Sequence, residues 1–331
     1  MKVAVIGAGS WGTALAQVVA KNNNEVLLWA RKDEVVCGIN ENHANPRYLS
    51  DVTLSKNITA TKSHEEALSG AQACVIVMPS STLRETAQAI APFVSDTLPI
   101  IICSKGVEAK TGMVGVEIFE DVLGNVSRLA ALSGPNHAEE VILGTPSATV
   151  IASANEQTTQ LFQELFATFS FRTYASTDVL GVELCAAFKN VIAIATGCAY
   201  GLGYGDNTAA MLQTRGLAEM SRLVTACGGQ ALTCMGLAGT GDMIVTCMSR
   251  HSRNRRLGEM IAQGKTLDDF TAETHMVAEG AVACKTLGEL AAKVGVELPI
   301  TDIVRRVVWE GFDPRLVSDR LLDRPLRPEF Y

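Results

Sequence analysis

The sequence predicts an α/β fold: a doubly wound sheet covered by helices, followed by a second, all-α domain. The chain has 331 residues, which is long enough for two domains with separate cores. Its first half alternates short apolar runs with amphipathic stretches, and continuous apolarity is typical of parallel strands buried on both faces. Beyond about Asp178 the strand pattern fades and helical spacing remains.

Seven apolar runs are predicted to form the strands of the sheet. They are Val3–Ile6, Glu25–Ala30, Ala73–Met78, Leu98–Cys103, Leu129–Leu132, Ala148–Ala152 and Phe171–Tyr174. Five stretches with helical spacing separate them. They are Thr13–Lys21, Ser80–Ala91, Met113–Leu123, Ala138–Leu143 and Glu156–Phe166. This repeated strand–helix order is typical of a doubly wound sheet, so we place the first domain at residues 1–180.

The second domain, residues 181–331, is predicted to be helical throughout. Glycine, proline or aspartate residues separate its apolar stretches. The predicted helices are Leu180–Ala199, Ala209–Cys227, Arg253–Gln263, Gly280–Val294 and Ile300–Trp309. We therefore expect a helical domain without a sheet of its own.

Composition and charge exclude several classes of function. With 47% hydrophobic residues and a formal net charge of −7, the chain is neither disordered nor suited to binding nucleic acid or an anionic membrane. The nine cysteines and five histidines lack metal-ligand spacing, so we expect no metal and no disulfide framework. We see no apolar stretch of about 20 residues, and we expect a soluble, cytoplasmic protein without stable membrane insertion.

A glycine-rich turn follows the first predicted strand and opens the first helix. Its sequence is Gly7-Ala8-Gly9-Ser10-Trp11-Gly12. Gly7, Gly9 and Gly12 permit a tight turn, close approach of a pyrophosphate and close helix–strand packing. Glycines often mark only a turn, but a strand before and a helix after this pattern predict a Rossmann-like dinucleotide site.

The end of the second predicted strand favours NADPH over NADH. Arg31 and Lys32 stand where an acidic residue would bind the ribose hydroxyls of NADH. Two cations are better suited to a 2′-phosphate. They could instead be exposed loop cations, and Asp33 and Glu34 lie close by.

Polar residues follow two other strands, at the edge where open α/β sheets bind ligands. Lys105 follows Leu98–Cys103 and would place an ammonium group in that crevice. The segment Ser133–His137 follows Leu129–Leu132, and its amides would suit an anion or a hydroxyl. A solvated loop lysine and a capped helix start are the alternative interpretations.

Lys189 lies inside a helix that is apolar on most sides. Such a lysine must extend to solvent, pair with a carboxylate or have its pKa lowered by desolvation. A lysine with a lowered pKa can act as a general acid or base near neutral pH. Extension to solvent is the commoner outcome for such lysines.

Two polar segments follow in the helical half. Glycines on both sides of Asp242 in Gly236–Met243 predict a turn that presents its carboxylate. In Ser252–Asn254 a hydroxyl, a guanidinium and an amide stand at a predicted helix start, with Ser252 as the N-cap. This combination predicts a small phosphate site, whereas Arg255 and Arg256 are interpreted as solvated cations.

Together these segments resemble the NAD(P)-dependent glycerol-3-phosphate dehydrogenases of the bacterial type, which supply phospholipid synthesis. The resemblance extends over nearly the whole chain in matching order and spacing. The motifs that carry it are Gly7–Gly12, Asn45–Leu49, Ser104–Gly106, Ser133–Pro135, Phe188–Asn190, Gly239–Asp242, Ser252–Asn254, Ala278–Gly280 and Leu298–Thr301.

The resemblance implies reversible hydride transfer between NADPH or NADH and dihydroxyacetone phosphate, giving sn-glycerol 3-phosphate. It implies that Lys189 transfers the proton and that Lys105 contacts both substrate and cofactor. The implied substrate contacts are Gly134, Asn136, Asp242, Ser252, Arg253 and Asn254. The implied cofactor contacts are Ser10, Trp11, Arg31, Ala138, Arg253, Val277 and Glu279. The family usually has Ser or Thr where this chain has Asn136. A homodimer is expected from the resemblance only.

The chemistry of ketone reduction suits these residues. Negative charge develops on the substrate oxygen, and the ammonium groups of Lys189 and Lys105 would stabilise and protonate it. Asp242 could orient Lys189 and keep it charged. Two alternatives remain: a related hydroxy-acid dehydrogenase, and a non-catalytic NADPH sensor, which would need no proton donor.

Overall fold

The computed structural model describes residues 1–274, 277–317 and 329, and the chain separates into two compact units. Unit 1 comprises residues 1–186 and 224–242, and unit 2 comprises residues 187–223 and 243–331. The predicted boundary near residue 180 stays a prediction, since residues 224–242 are grouped with unit 1. Residues 275–276, 318–328 and 330–331 of the predicted second domain lie outside the described part of the chain.

Unit 1 is built on an eight-stranded sheet, and the predicted α/β class is confirmed. The strands are β1 (Lys2–Ile6), β2 (Glu25–Trp29), β3 (Ile58–Thr61), β4 (Ala73–Ile76), β5 (Ile100–Ile102), β6 (Leu129–Ser133), β7 (Ser147–Ala152) and β8 (Phe171–Ser176). Their spatial order is β3-β2-β1-β4-β5-β6-β7-β8. The order reverses between β1 and β4, which is where doubly wound sheets bind dinucleotides.

Fifteen α-helices complete the described part of the chain. They are α1 (Ser10–Lys21), α2 (Asp33–Asn42), α3 (His64–Leu68), α4 (Leu83–Ile90), α5 (Gly115–Leu123), α6 (Ala138–Leu143), α7 (Glu156–Phe166), α8 (Val179–Gly201), α9 (Asp206–Ala226), α10 (Ala231–Met235), α11 (Asp242–Met248), α12 (Arg253–Ala262), α13 (Leu267–Thr274), α14 (Glu279–Val294) and α15 (Pro299–Trp309). Apolar side chains of α1, α2, α6 and α7 pack on one face of the sheet, and those of α3, α4 and α5 pack on the other.

The sheet differs from the prediction in two ways. β6 and β7 are antiparallel, so β7 and β8 run opposite to the other six strands. β6 and β7 are joined through the six-residue helix α6, whose apolar side chains pack on the same face of the sheet as those of α1. β3 was not predicted, because its four residues include two threonines and give no apolar run.

In unit 2 the helices α8 and α12 pack backbone against backbone. A Cβ atom at Gly197 would lie 2.0 Å from the carbonyl oxygen of Arg255, and one at Gly258 would lie 2.1 Å from that of Ile194. Glycine is therefore required at both positions.

The expectation that no stretch is long and apolar enough to span a membrane is wrong for α8, since its 23 residues suffice by length and composition. In its most apolar window, 83% of the residues are buried inside the protein.

Both units bury a glutamate carboxyl group against the N-terminus of a helix. In unit 1 Glu183 accepts a hydrogen bond of 3.1 Å from the backbone N–H of Val116 on α5. In unit 2 Glu219 accepts bonds from the N–H groups of Ile300 (2.6 Å) and Thr301 (3.3 Å) on α15. Burial raises the pKa of Glu183 to about 8 and that of Glu219 to about 7.

Candidate active site

The glycine-rich turn has the geometry of a phosphate-binding loop. Gly7 has a φ of +120°, and a Cβ atom there would lie 2.2 Å from the carbonyl oxygen of Val77. A Cβ atom at Gly12 would lie 1.8 Å from the carbonyl oxygen of Gly7. At Gly9 no atom lies within 4 Å of the corresponding point. Gly7 and Gly12 therefore serve packing, whereas Gly9 leaves space for a ligand to approach the backbone.

Hydrogen bonds from the side chain of Asn45 support this loop at the start of α1. The amide of the buried Asn45 donates to the carbonyl oxygen of Ala8 (3.1 Å) and to Oγ1 of Thr13 (2.9 Å). The sequence prediction gave Asn45 no such role, because its partners lie more than thirty positions away. The indole Nε1 of Trp11 is buried without a hydrogen-bond partner among the described residues. The resemblance had implied that Ser10 and Trp11 contact the cofactor.

At the end of β2, Arg31 and Lys32 are exposed. The two neighbouring acids are paired with cations from other segments: Asp33 with Lys62 at 2.8 Å, and Glu34 with Arg47 at 3.0 Å. The acids that made the cofactor prediction ambiguous are therefore partly neutralised. Sequence reasoning missed both partners because the ion pairs join separate segments.

Lys105 and Asp242 form an ion pair at the carboxyl ends of the strands. The ammonium nitrogen of Lys105 lies 2.7 Å from Oδ2 of Asp242 and 3.2 Å from the carbonyl oxygen of Gly134. The Asp242 side chain is 1% exposed and that of Lys105 is 16% exposed. Ser104, the residue before Lys105, donates a hydrogen bond of 2.5 Å from its hydroxyl to the carbonyl oxygen of Met78, two residues after β4. This bond fixes the chain next to Lys105.

The segment after β6 approaches β7 closely. A Cβ atom at Gly134 would lie 2.8 Å from Cα of Thr149, so only glycine fits. The amide nitrogen of Asn136 donates to the carbonyl oxygen of Ala148 at 2.9 Å. Its Oδ1 is buried and accepts no hydrogen bond from the described residues. Asn136 thus offers an unused acceptor near Gly134.

The flanking glycines predicted that Asp242 lies in a turn, but it lies in a helix. Residues Leu237–Gly241 form a wide π-helical turn that leads directly into α11, and Asp242 is the first residue of that helix. A Cβ atom at Gly239 would lie 2.1 Å from the carbonyl oxygen of Cys234. Gly239 therefore serves close backbone packing in this helical turn.

Lys189 is buried in α8, with 7% of the residue exposed. Its ammonium group donates a hydrogen bond of 2.8 Å to Oγ1 of Thr246 on α11. Extension to solvent, the commoner outcome for such a lysine, is thereby excluded. Thr246 was missed in the sequence, since a lone threonine in an apolar helix gives no signal.

The predicted phosphate site lies at the start of α12. Ser252 is its N-cap, as predicted, and its Oγ accepts from the N–H of Arg255 at 3.2 Å. The Asn254 amide donates to Oδ1 of Asn190 and accepts from the N–H of Gly280, both at 2.9 Å. Arg253 is exposed. This network links α12 to α8 and α14.

The remaining predicted residues lie at helix ends. Ala138 is the first residue of α6 and Glu279 the first of α14, while Val277 is 54% exposed.

The interpretation of Arg255 as a solvated cation is wrong. Its guanidinium pairs with Glu259 at 2.8 Å and lies 4.6 Å from the centre of the Tyr200 ring. Arg256 is exposed.

The site residues fall into two groups, one in each unit. Unit 1 holds the glycine loop, Arg31, Lys105, Gly134, Asn136 and Asp242, and unit 2 holds Lys189 and the residues around the start of α12. A Gly9 open to the approach of a ligand and the buried, unpartnered Nε1 of Trp11 fit a dinucleotide. Over residues 1–274, 277–317 and 329, no group of three or more His, Cys, Asp or Glu side chains could hold a metal ion.

Comparison with known proteins confirms the resemblance. The family models for the N-terminus and the C-terminus of NAD-dependent glycerol-3-phosphate dehydrogenase match residues 2–159 and 178–319. A glycerol-3-phosphate dehydrogenase (NAD(P)+) of Shouchella clausii is 44% identical, and the match covers 99% of this chain and 97% of that protein.

Solved structures agree with these matches. A glycerol-3-phosphate dehydrogenase of Coxiella burnetii has a TM-score of 0.93 at 36% identity, covering 98% of this chain and 99% of the other. The enzyme of Saccharomyces cerevisiae has a TM-score of 0.85 at 28% identity, with the same coverage.

Proposed function

Because this chain belongs to the NAD-dependent glycerol-3-phosphate dehydrogenase family, and is an NAD(P)-dependent oxidoreductase, we propose that it reduces dihydroxyacetone phosphate reversibly to sn-glycerol 3-phosphate. The observation that carries the proposal is the Lys105–Asp242 ion pair of 2.7 Å, at the sheet edge that also bears the glycine loop. It is a positioned cation where negative charge would develop on a ketone oxygen. The family membership favours this substrate over a hydroxy acid.

The cofactor would be held by residues that the sequence already suggested. Gly7, Gly9, Ser10, Trp11 and Gly12 would hold the pyrophosphate. Other contacts would come from Arg31, Lys105, Ala138, Arg253, Val277 and Glu279. When bound, reduced nicotinamide supplies the hydride that reaches the substrate carbonyl carbon. With Arg31 and Lys32 exposed and their acidic neighbours paired, we favour NADPH over NADH.

Lys189 would donate the proton that the carbonyl oxygen takes up. Its burial and its bond to Thr246 fix the ammonium group in one direction, which general acid catalysis requires. Lys105 would stabilise the developing negative charge, and Asp242 would hold the ammonium group of Lys105 in place. The suggestion that Asp242 also orients Lys189 stays part of this proposal.

The phosphate of the substrate would bind at Ser252, Arg253 and Asn254. There a helix N-terminus, an exposed guanidinium and a fixed amide combine. Gly134 and Asn136 would contact the remainder of the substrate, with the unused Oδ1 of Asn136 accepting from a hydroxyl. Binding the phosphate away from the reacting carbon would fix the carbonyl for hydride transfer.

The decisive test follows the consumption of NADPH by absorbance, with dihydroxyacetone phosphate as substrate. We expect Lys189→Ala to lower kcat by at least about 100-fold, because general acid catalysis contributes that much. Lys56→Ala, at an exposed lysine ahead of β3, is the control and should change nothing. Full activity in Lys189→Ala would remove the catalytic assignment. Cofactor binding without turnover in the unsubstituted chain would favour a sensor.

The cellular context forms part of the same proposal. We propose a cytoplasmic homodimer that contributes to phospholipid synthesis and binds neither nucleic acid nor a membrane stably. The net charge of −7 supports the absence of nucleic-acid binding. Sedimentation equilibrium would test the dimer, and a single species with the mass of one chain would refute it.

A further inference from the structure

A lysine that the sequence did not single out lies at the cofactor edge of the sheet. Trp29 and Thr61 are register partners at the ends of β2 and β3, and the N–H of Ala30 donates to the carbonyl oxygen of Thr61 at 2.9 Å. Lys62, the next residue, is therefore beside the chain that leads to Arg31. Its backbone is fixed, because its carbonyl oxygen accepts from Nε1 of Trp29 at 2.9 Å.

The side chain of Lys62 changes the charge of this edge. Its ammonium nitrogen lies 2.8 Å from Oδ1 of Asp33, the first residue of α2. An unpaired carboxylate so close to Arg31 would accept hydrogen bonds from a ribose and repel a 2′-phosphate. In its exposed ion pair with Lys62, the charge of the same carboxylate is partly compensated, while Arg31 and Lys32 form no ion pair with any described residue.

We propose that Lys62 is a specificity-determining residue for NADPH, an inference that rests on the cofactor preference proposed above. Lys62 offsets the charge of Asp33, so that this carboxylate does not reduce the net positive charge that Arg31 and Lys32 offer to the 2′-phosphate. Arg47 forms a similar ion pair with Glu34 at 3.0 Å, so both acidic residues in the first turn of α2 are paired with a cation.

The test measures binding of two probes to the cofactor-free protein by calorimetry: 2′,5′-ADP, which carries the 2′-phosphate, and 5′-AMP, which lacks it. We expect Lys62→Ala to weaken 2′,5′-ADP roughly tenfold, the value of one charge-assisted contact, and to leave 5′-AMP within about twofold. Lys62→Arg should retain the preference. Lys56→Ala is the matched control, since it removes an exposed lysine that forms no ion pair with a described residue.

A double variant tests whether Lys62 acts through Asp33. Adding Asp33→Asn to Lys62→Ala removes the repelling carboxylate, so most of the lost 2′,5′-ADP affinity should return. The KM for NADPH should follow the same order across the variants, with the KM for NADH unchanged.

Two results would overturn the inference, and they are distinguishable. If the unsubstituted chain binds both probes equally, the NADPH preference fails and this inference fails with it. If it prefers 2′,5′-ADP and Lys62→Ala keeps that preference, or weakens both probes equally, only the role of Lys62 is refuted.

Discussion

Lys105 and Asp242 lie 137 positions apart in the chain, and their side chains meet at 2.7 Å with almost no exposure of the carboxylate. The sequence could indicate each residue singly, from a strand end and from flanking glycines. It could not indicate the ion pair between them, which forms only in the folded chain, and the interpretation that Asp242 orients Lys189 stays a prediction. Removing one member of such a buried pair leaves an uncompensated charge, which costs about 3–5 kcal/mol.

The same reasoning applies to the polar residues that hold the site. Asn45 and Thr246 act on the glycine loop and on Lys189 through hydrogen bonds formed only in the folded chain. Neither residue stands in a sequence pattern that by itself predicts a binding or catalytic role. The glycines, the lysines and Ser252 could be predicted because each breaks or begins a regular pattern.

Arg253→Ala should raise the KM for dihydroxyacetone phosphate by roughly tenfold to a hundredfold, because a charge-assisted phosphate contact is lost. Steady-state kinetics with saturating NADPH measures this. Arg256→Ala, at another exposed arginine of α12, is the control and should keep the KM of the unsubstituted chain. An unchanged KM in Arg253→Ala would show that the phosphate binds elsewhere.

Thr246→Val should lower kcat roughly tenfold. Valine has nearly the same shape but cannot accept the hydrogen bond that orients the ammonium group of Lys189, and one such bond to a charged group is worth about this factor. Thr246→Ser keeps the hydroxyl and should keep most of the activity. Equal losses in both variants would point to packing as the cause.

At the scale of elements, strands with continuous apolar runs were predictable and elements of mixed composition were not. All seven predicted strands exist, with ends shifted by three residues or fewer. The missed elements are short or polar: β3, α2, α3, α10, α11 and α13. Their stability comes from neighbours, as with β3, which pairs with β2 at the edge of the sheet.

Substitutions of Gly9 and Gly12, two of the three loop glycines, are expected to have opposite effects at the start of α1. Gly12→Ala forces a Cβ atom into the carbonyl of Gly7 and should destabilise the fold by more than about 3 kcal/mol. Gly9 has a φ of −73° with open space around it, so Gly9→Ala should fold normally. Its cofactor affinity should fall roughly tenfold because the ligand loses close approach to the backbone.

Urea unfolding and cofactor titration of the two variants measure these effects. A Gly9→Ala variant with unchanged cofactor affinity would mean that the pyrophosphate does not approach this residue.

Across the whole molecule, the buried carboxyl groups of Glu183 and Glu219 link stability to pH. Their pKa values in the folded chain, about 8 and about 7, are above the ordinary value of 4.5. The folded state therefore favours their protonated forms, and their contribution to stability is complete below about pH 4.5 and is lost as the pH rises through these values. Ionising these two carboxyl groups in the buried state lowers the free energy of unfolding, because burial disfavours the charged form.

We expect Glu183→Gln to flatten the fall in stability between about pH 5 and about pH 8, because the amide cannot ionise. Thermal unfolding over that range measures the slope, which is more informative than stability at one pH. Glu120→Gln, at an exposed position of α5, should reproduce the slope of the unsubstituted chain. An unaltered slope in Glu183→Gln would show that this carboxyl group stays charged in the folded protein.

The reversed direction of β7 and β8 has a use in protein engineering. Because these strands run opposite to the first six, the turn that leaves β7 lies at the edge away from the glycine loop and Lys105. Ala154 is exposed in this turn. A small label attached to the side chain at this position would lie away from the glycine loop and Lys105, so we expect it to leave turnover intact.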